Sequence, residues 1–365
     1  GLGDMYKRQG VGDEARGIGP FRGDVSAYYV SINRGKKSVT LDLKKPEGRK
    51  ILLELAARGD VLVENFRGGV MERLGLGYEM IRAANPRIIY AACSGFGHTG
   101  PYAERPAYDM IVQGMSGIIS VTGEENGPPV RVGTSIGDLS AALYTVLGIL
   151  TALHQRERTG EGQKVDVAML DSLFALLEAA ITRYDVAGEV PKPLGSRHPT
   201  ITPFEVFATR DGHVVIALCN NKHWSLFCEC VGRPDLIGDP RFADNRCRTE
   251  NYDALLPQLR EIVRARSSQE WTEVLGRIGV PCGPLNTVPE VMADPQIQAR
   301  RMVAEIRHAR AGRFRVPACP IKMSDGRVEV SEGAPDLGQH TEEVLRTILG
   351  YTPDEVARLR RERVI

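Results

Sequence analysis

The sequence predicts an α/β protein with a parallel sheet flanked by helices, followed by a smaller α+β domain. Strand-like and helix-like segments alternate through the first half of the chain, a hairpin pattern opens the second half, and a proline- and glycine-rich stretch at 188–203 separates them. A length of 365 residues agrees with about two domains. We therefore expect a large domain over residues 10–188, a small one over 204–310, and a C-terminal segment over 311–365.

The alternation is clearest before residue 94. Residues 60–64 and 87–93 are short apolar runs, which are typical of strands buried on both faces of a parallel sheet. Between them the apolar residues recur with helical spacing, and Pro46 suits the first turn of a helix. The predicted elements are strands at 38–43, 60–64 and 87–93, and helices at 46–56, from about 70, and at 78–84.

Beyond residue 94 the pattern becomes less regular. Residues 94–138 are rich in glycine and proline, and long irregular segments of this kind often carry function. Residues 139–157 are apolar nearly all round, which predicts a helix buried in the core. The remaining predictions are a strand at 164–167, a helix at 170–186, a hairpin at 204–208 and 213–218, helices within 222–277, a turn-rich exit at 280–286, short strands at 313–316 and 327–330, and helices at 342–349 and 353–362.

Charge and composition exclude several classes of protein. Lys and Arg number 47 against 46 Asp and Glu, so no strong positive field favours a nucleic acid partner. No stretch approaches the roughly 20 apolar residues that a membrane span needs, and no signal peptide is evident, so we expect a cytoplasmic protein with no membrane partner. Seven scattered cysteines lack the paired spacing of a zinc site, and no metal site is expected.

A glycine motif invites a dinucleotide-binding interpretation. Gly95, Gly97 and Gly100 form a G-x-G-x-x-G pattern directly after a predicted strand. A dinucleotide site needs a helix that begins at this motif, whereas Pro101 and Pro106 follow it. A nicotinamide- or flavin-dependent oxidoreductase is therefore kept only as a remote alternative.

Asp138 is the most interesting carboxylate. It precedes a predicted helix, where Asp commonly serves as an N-cap without any catalytic role. The same position would also let helix N–H groups and the helix dipole keep the carboxylate ionised, as a carboxylate nucleophile requires. Spacing alone leaves both interpretations open. Asp171, within a predicted buried helix, is a weaker candidate.

Several segments are familiar as a set. They are Asn33–Lys44, Asp60–Phe66, Leu74–Tyr78, Ser94–Pro101, Ala107–Asp109, Ser116–Gly117, Thr122–Gly123, Gly133–Leu139, Thr159–Gln163, Gly279–Pro284 and Leu337–Thr341. In this order, and over nearly the whole chain, they resemble the class III CoA-transferases, the CaiB/BaiF or formyl-CoA transferase-like family. The resemblance implies a Rossmann-like large domain and an interlocked-ring homodimer, with the C-terminal segment returning to the large domain.

The resemblance also implies a mechanism. Asp138 matches the family's nucleophile, which forms an aspartyl-CoA thioester while CoA passes from an acyl-CoA, such as succinyl-CoA, to a carboxylic acid. Asp109 and Tyr108 match positions beside the catalytic centre, and Gly95 and Gly97 match a loop that approaches the thioester. Coenzyme A enters as a thioester substrate, and no permanently bound cofactor is expected.

The family's CoA-binding positions map onto both basic and apolar residues. Basic residues would meet the phosphates and apolar ones would cover the adenine. His198 and Arg197 are candidates for the acceptor-acid site. The residues implied for CoA are Arg16, Leu41, Asp42, Leu43, Lys44, Asn65, Phe66 and Arg73.

Two alternatives remain within the resemblance. The family includes α-methylacyl-CoA racemases, which use a histidine base where this chain has Tyr108, and tyrosine, with a pKa near 10, is a poor base. Residues 1–9 do not match the family's opening strand, glycine turn and helix, so we expect an N-terminally truncated chain. If the missing segment is essential, the protein would bind CoA without turnover.

Overall fold

The computed structural model describes residues 2–3, 12–326 and 332–365. The chain divides into two compact units: the first comprises Gly1–Val112, Ser135–Ala175 and Met292–Ile365, and the second Gln113–Thr134 and Leu176–Val291. These boundaries differ from the expected ones, because 113–134 and 176–188 group with the second unit and 292–310 with the first. Glycine and proline mark where the chain turns, not which unit a segment packs against.

Most strands are short and paired with a neighbour. The segments expected at 1–9 and 327–330 lie outside the described residues, apart from the backbone of residues 2–3. The strands are β1 (Leu2–Gly3), β2 (Phe21–Arg22), β3 (Val25–Ser26), β4 (Lys37–Ser38), β5 (Val61–Glu64), β6 (Ile89–Ser94), β7 (Lys164–Ala168), β8 (Phe204–Ala208), β9 (His213–Ala217), β10 (Cys282–Pro284), β11 (Val303–His308) and β12 (Gly312–Pro317).

Helices separate most of these strands. Short 3₁₀ helices cover Glu14–Gly17, Ile119–Val121 and Pro240–Phe242. The α-helices are α1 (Ala27–Asn33), α2 (Pro46–Ala56), α3 (Val70–Arg73), α4 (Tyr78–Ala84), α5 (Asp109–Ser116), α6 (Ile136–Thr159), α7 (Met169–Ala175), α8 (Ala179–Ala187), α9 (Asn221–Cys230), α10 (Asp235–Gly238), α11 (Asn245–Glu250), α12 (Tyr252–Arg264), α13 (Ser268–Arg277), α14 (Val288–Ala293), α15 (Pro295–Ala299), α16 (Thr341–Thr347) and α17 (Pro353–Arg361).

A parallel three-stranded sheet lies at the centre of the first unit, in the order β5-β6-β7. Side chains of β6 are almost completely buried, as the continuous apolar run predicts. The predicted mixed α/β class with a parallel sheet and helices is confirmed. Because the strands are parallel, their carboxyl ends meet at one edge, and the loops that follow them come together there.

The segment after β4 is extended but is not the predicted strand at 38–43. Val39, Leu41 and Leu43 are buried in alternation with more accessible residues, so the strand-like pattern is real. The backbone N–H of Thr40 donates to Thr341 Oγ1 at 3.0 Å, and that of Asp42 donates to the carbonyl oxygen of Val364 at 2.8 Å. This segment therefore forms hydrogen bonds with C-terminal residues and is not part of a continuous strand ladder.

α6 is not the fully buried helix that its composition predicts. One stripe of its surface is exposed: Leu139 by 54%, Leu143 by 68%, Leu147 by 58% and Leu150 by 57%. Apolar composition alone does not show whether the rest of the chain covers the surface of a helix or leaves part of it exposed. Within the described residues, α6 is also long and apolar enough to pass a membrane-span test based on length and composition alone. The core helix of a soluble protein passes the same test.

The second unit has its own sheet, in the order β10-β9-β8 with antiparallel pairing. The hairpin of β8 and β9 was predicted, whereas the turn-rich segment at 280–286 also supplies the edge strand β10. The helix predicted at 170–186 is broken between α7 and α8, where Glu178 has a positive φ of 46°. Trp224, Phe227 and Trp271 are buried in this unit's core.

Candidate active site

A cavity of about 880 Å³ lies in the first unit, next to the carboxyl ends of the parallel strands. Asn65 and Phe66 follow β5, Ser94 ends β6, and Met169 follows β7. Ligands commonly bind at this edge of open α/β sheets. The residues lining the cavity are Gly12, Glu14, Thr40, Leu41, Asp42, Lys44, Asn65, Phe66, Arg67, Val70, Ser94, Gly95, Pro106, Ala107, Tyr108, Asp138, Met169, Val364 and Ile365.

Asp138 lines this cavity, but it is not the N-cap that its position in the sequence indicated. α6 begins at Ile136 with Ser135 as its N-cap, so Asp138 lies within the first turn. Its carboxylate accepts no hydrogen bond from any described residue and is open to the cavity. The carboxylate is therefore available for chemistry instead of being used to cap the helix.

Asp109 supports the same helix turn from another element. Its Oδ1 accepts the backbone N–H of Gly137 at 2.8 Å, at the second position of α6. A Cβ at position 137 would lie 3.0 Å from this oxygen and 2.9 Å from Val112 Cγ2, so the close approach favours glycine there. Asp109 thus fixes the start of α6 directly before Asp138, although it is not itself among the cavity-lining residues.

The electrostatics of Asp138 differ from the sequence-based expectation. Partial burial, and secondarily the nearby negative charge of Asp109, raise the pKa of the Asp138 carboxyl above its ordinary value. Among the described residues no helix N–H group bonds to the Asp138 carboxylate to offset this shift, since the N–H of Gly137 donates to Asp109 instead. A more basic carboxylate is a better nucleophile once it is ionised.

The loop after β6 approaches the segment before α5 very closely. A Cβ built on Gly95 would lie 2.2 Å from the Cβ of Ala107, and both residues line the cavity. Gly97 has a φ of +79°, a left-handed conformation that favours glycine, and it does not line the cavity. Tyr108 lines the cavity and is 73% exposed.

The residues expected to bind CoA fall into two groups. Leu41, Asp42, Lys44, Asn65 and Phe66 line the cavity. The other three expected residues, Leu43, Arg73 and Arg16, are not among the lining residues.

Each of these three has another environment. Leu43 is in the core, 2% exposed. Arg73 is exposed at the end of α3. The guanidinium of Arg16 lies 3.9 Å from the centre of the Tyr29 ring and donates to the carbonyl oxygen of Pro335 at 3.2 Å. The roles expected for all three in CoA binding stay predictions.

The candidates for the acceptor acid both belong to the second unit. His198 stacks on the ring of Phe204 at 5.2 Å between centroids, and the Arg197 guanidinium lies 3.7 Å from the centre of the Tyr252 ring. Among the described residues no cluster of histidine, cysteine and carboxylate side chains could hold a metal ion.

Other lining residues escaped the sequence analysis. Arg67 directly follows Asn65 and Phe66, and its charge next to that pair was a usable signal. Val364 and Ile365 reach the cavity because the end of the chain packs against Asp42, and no local pattern reveals a contact across such a separation.

Comparison with known proteins decides the family. The sequence profile described as CoA-transferase family III matches residues 7–341. The chain belongs to this family. The match begins inside the segment 1–9 that was expected to lie outside the resemblance. The enzyme class expected from the sequence, a class III CoA-transferase, is confirmed, and the oxidoreductase alternative is not.

Relatives and solved structures agree. Acetyl-CoA:oxalate CoA-transferase of Acetobacter aceti is 44% identical over 333 residues, covering 90% of this chain and 84% of the relative. Succinyl-CoA:glutarate CoA-transferase of Homo sapiens is 36% identical, covering 98% and 83%. The crystal structure of a CaiB/BaiF family protein from Brucella suis matches with a TM-score of 0.80 and 36% identity, covering 94% of this chain and 89% of that one.

Proposed function

We propose that this CoA-transferase moves CoA from an acyl-CoA, such as succinyl-CoA, to a carboxylic acid through a thioester on Asp138. The observation that carries the proposal is the position of Asp138 in the first turn of α6, on the wall of a cavity of about 880 Å³. Its carboxylate is open to that cavity, and the neighbouring turn is held by Asp109. No metal or redox step is required by this chemistry.

The reaction proceeds through alternating anhydrides and thioesters. Ionised Asp138 attacks the thioester carbonyl, which breaks the carbon–sulfur bond and releases CoA thiolate from a mixed anhydride. The thiolate then attacks the carbonyl of Asp138, releasing the donor acid and leaving aspartyl-CoA. The acceptor carboxylate attacks this thioester, and the thiolate released finally attacks the acceptor carbonyl. This last step yields the new acyl-CoA and regenerates the Asp138 carboxylate.

The lining of the cavity suits the parts of CoA. Leu41 and Phe66 offer apolar surface to the adenine, and Lys44 and Arg67 offer cations to the phosphates. The pantetheine arm is placed along the cavity wall that contains Gly95 and Asp138. Tyr108 occupies the position of the racemase histidine. Tyrosine is a poor base, which favours group transfer over racemisation.

We further propose a dicarboxylate as the acceptor. The names of relatives specify oxalate, glutarate and mesaconate as partners of their CoA-transferases. Each of these acids carries a second carboxylate for which an enzyme could provide a cation. Arg197 and His198 stay candidates for that role in this chain.

A cytoplasmic homodimer is the proposed working form. The exposed apolar stripe of α6, from Leu139 to Leu150, is the surface that supports it, because a stripe of this kind in a soluble protein calls for a cover. Analytical ultracentrifugation tests the dimer by measuring the mass of the protein in solution. A monomer at micromolar concentration would contradict it.

Trapping the acylated aspartate tests the nucleophile. The protein is incubated with succinyl-CoA and hydroxylamine, digested, and analysed by mass spectrometry, which we expect to find a hydroxamate at Asp138. Asp138→Ala should abolish both the hydroxamate and transfer. Asp171→Ala, a change of the same kind at an exposed position of α7, serves as the matched control.

Two outcomes would count against the proposal. Modification at any residue other than Asp138 would show that the nucleophile is wrong. Equal CoA binding by the wild type and by Asp138→Ala, with transfer by neither, would favour a CoA-binding protein without turnover.

A further inference from the structure

A buried contact between a carboxylate and an imidazole lies next to the cavity-lining turn of Asn65 and Phe66 and has no part in the proposed chemistry. Glu64 ends β5 and His98 follows the loop after β6, with side chains only 3% and 6% exposed. Glu64 Oε1 lies 3.3 Å from His98 Nε2. Removing two ionisable groups from water is costly, so such a pair needs further partners to hold it in place.

The carboxylate of Glu64 connects to the cavity on one side. Its Oε2 accepts the backbone N–H of Phe66 at 2.7 Å, which fixes the turn directly after β5. Asn65, inside that turn, donates from Nδ2 to the carbonyl oxygen of Cys93 at 2.6 Å. Asn65 and Phe66 both line the cavity, so the orientation of Glu64 is coupled to the cavity wall.

The imidazole of His98 connects to β7. Lys164 Nζ lies 3.1 Å from His98 Nδ1, and the backbone N–H of His98 donates to the Asp166 carboxylate at 3.0 Å. An ammonium group only donates hydrogen bonds, so Nδ1 is the acceptor and the proton of neutral His98 lies on Nε2, facing Glu64. The histidine therefore links the two strands on either side of β6.

Both cavity-lining loops are attached to this pair. His98 follows Gly97 in the loop whose Ser94 and Gly95 line the cavity, and Glu64 holds the turn of Asn65 and Phe66. We propose that His98, acting through Glu64, is a positioning residue that holds these two loops in the geometry that binds the CoA thioester. This inference rests on the proposed function, since the cavity must be the CoA site.

The contact between His98 and Glu64 depends on pH. The groups facing His98 are Glu64 from β5, and Lys164 and Asp166 from β7. The contact with Glu64 raises the pKa of His98 above its ordinary value, against the opposing effects of burial and Lys164. The raised pKa means that protonation strengthens the contact with Glu64 by more than burial and the Lys164 ammonium oppose it. CoA binding therefore weakens as pH rises through the pKa of His98, because the neutral imidazole holds Glu64 less firmly.

Three variants test this role. His98→Ala removes the link, His98→Gln keeps an N–H donor for Glu64, and His213→Ala changes an exposed histidine of β9 as the matched control. The affinity for CoA is measured by titration calorimetry from about pH 6 to about pH 8, the range in which histidine titrates. KM for acyl-CoA and kcat are measured in parallel, and thermal unfolding reports the folded fraction.

We expect His98→Ala to weaken CoA binding and raise KM by about tenfold at the lower pH, the value of one charge-assisted contact, while kcat falls much less. The pH dependence of the dissociation constant should disappear, and His98→Gln should recover most of the affinity. Unchanged affinity in His98→Ala, a loss no larger than its unfolded fraction, or a wild-type pH profile in that variant would each overturn the inference.

The binding readout separates this inference from the proposed function. A wild type that binds CoA and transfers nothing contradicts the proposed reaction, while the His98 variants still test positioning. A wild type that does not bind CoA contradicts both. A wild type that transfers CoA, with His98→Ala behaving like His213→Ala, contradicts positioning alone.

Discussion

The close approach of Gly95 to Ala107 allows a strict test of the cavity geometry. In Gly95→Ala the new Cβ would lie 2.2 Å from the Cβ of Ala107, whereas carbon atoms in contact are separated by about 3.5 Å or more. Both atoms are attached directly to the backbone, so no side-chain rotation can relieve the overlap. The two segments must separate by roughly 1.3 Å, and overpacking of this kind costs about 1–3 kcal/mol.

A loss of activity should accompany the loss of stability. Both segments line the cavity, and a displacement of about 1 Å near a reaction centre lowers the rate by on the order of 100-fold. The second variant, Ala107→Gly, removes the overlapping Cβ, and the nearest remaining atom, the Cα of residue 107, lies at an ordinary 3.6 Å. The double variant should therefore recover most of the stability and activity that Gly95→Ala loses.

Urea unfolding and kcat/KM of the four proteins complete a double-mutant cycle. Ala107→Gly alone should cost less than about 1 kcal/mol through backbone freedom. The coupling free energy should be favourable by about 1–3 kcal/mol in the double variant. If the double variant is as impaired as Gly95→Ala, or if Gly95→Ala behaves like the wild type, the close approach described here is wrong.

Three further predictions concern charge, a buried cation and a helix cap. Asp109→Asn removes the negative charge that raises the pKa of Asp138 while keeping an acceptor for the N–H of Gly137; because the nucleophile reacts when ionised, the acid limb of the kcat/KM profile should move to lower pH, and an unmoved limb would exclude this coupling. Arg248, fully buried, donates to two backbone carbonyls, so Arg248→Met should cost about 2–4 kcal/mol in urea unfolding, and a loss below about 1 kcal/mol would contradict that role. Ser267→Ala breaks a capping box and should cost about 1 kcal/mol by the same assay; equal stability would show that the cap contributes nothing.

Local pattern was sufficient where burial is continuous along the chain. β6 was predicted because a strand covered on both faces contains few polar residues, and α2 because its proline and periodicity agree. The apolar run of β5 also predicted a strand, although its Val63 is 57% exposed. The same reasoning failed for α6, whose apolar surface is only partly covered within the chain. Burial by a residue distant in sequence, or by another molecule, leaves no local signature.

The same distinction, between features with a local sequence pattern and contacts between distant residues, applies to the site. The cavity contains the loops that follow β5 and β6, which the resemblance indicated. Asp109 holding the turn of Asp138, and His98 reaching Glu64, are pairings between side chains of separate elements. A periodic pattern in one element does not specify which partner its polar residue meets, so these contacts could only be found in three dimensions.

The pairing of the segment at 39–43 with the end of the chain also constrains how the protein is made. Val39, Leu41 and Leu43 share a core with Val344, Leu345, Val356 and Leu359. During synthesis these early residues leave the ribosome long before their partners are translated, so the nascent chain carries an uncovered apolar surface through most of translation. Contacts between such distant residues also slow folding, which makes this region the natural one for a chaperone to protect.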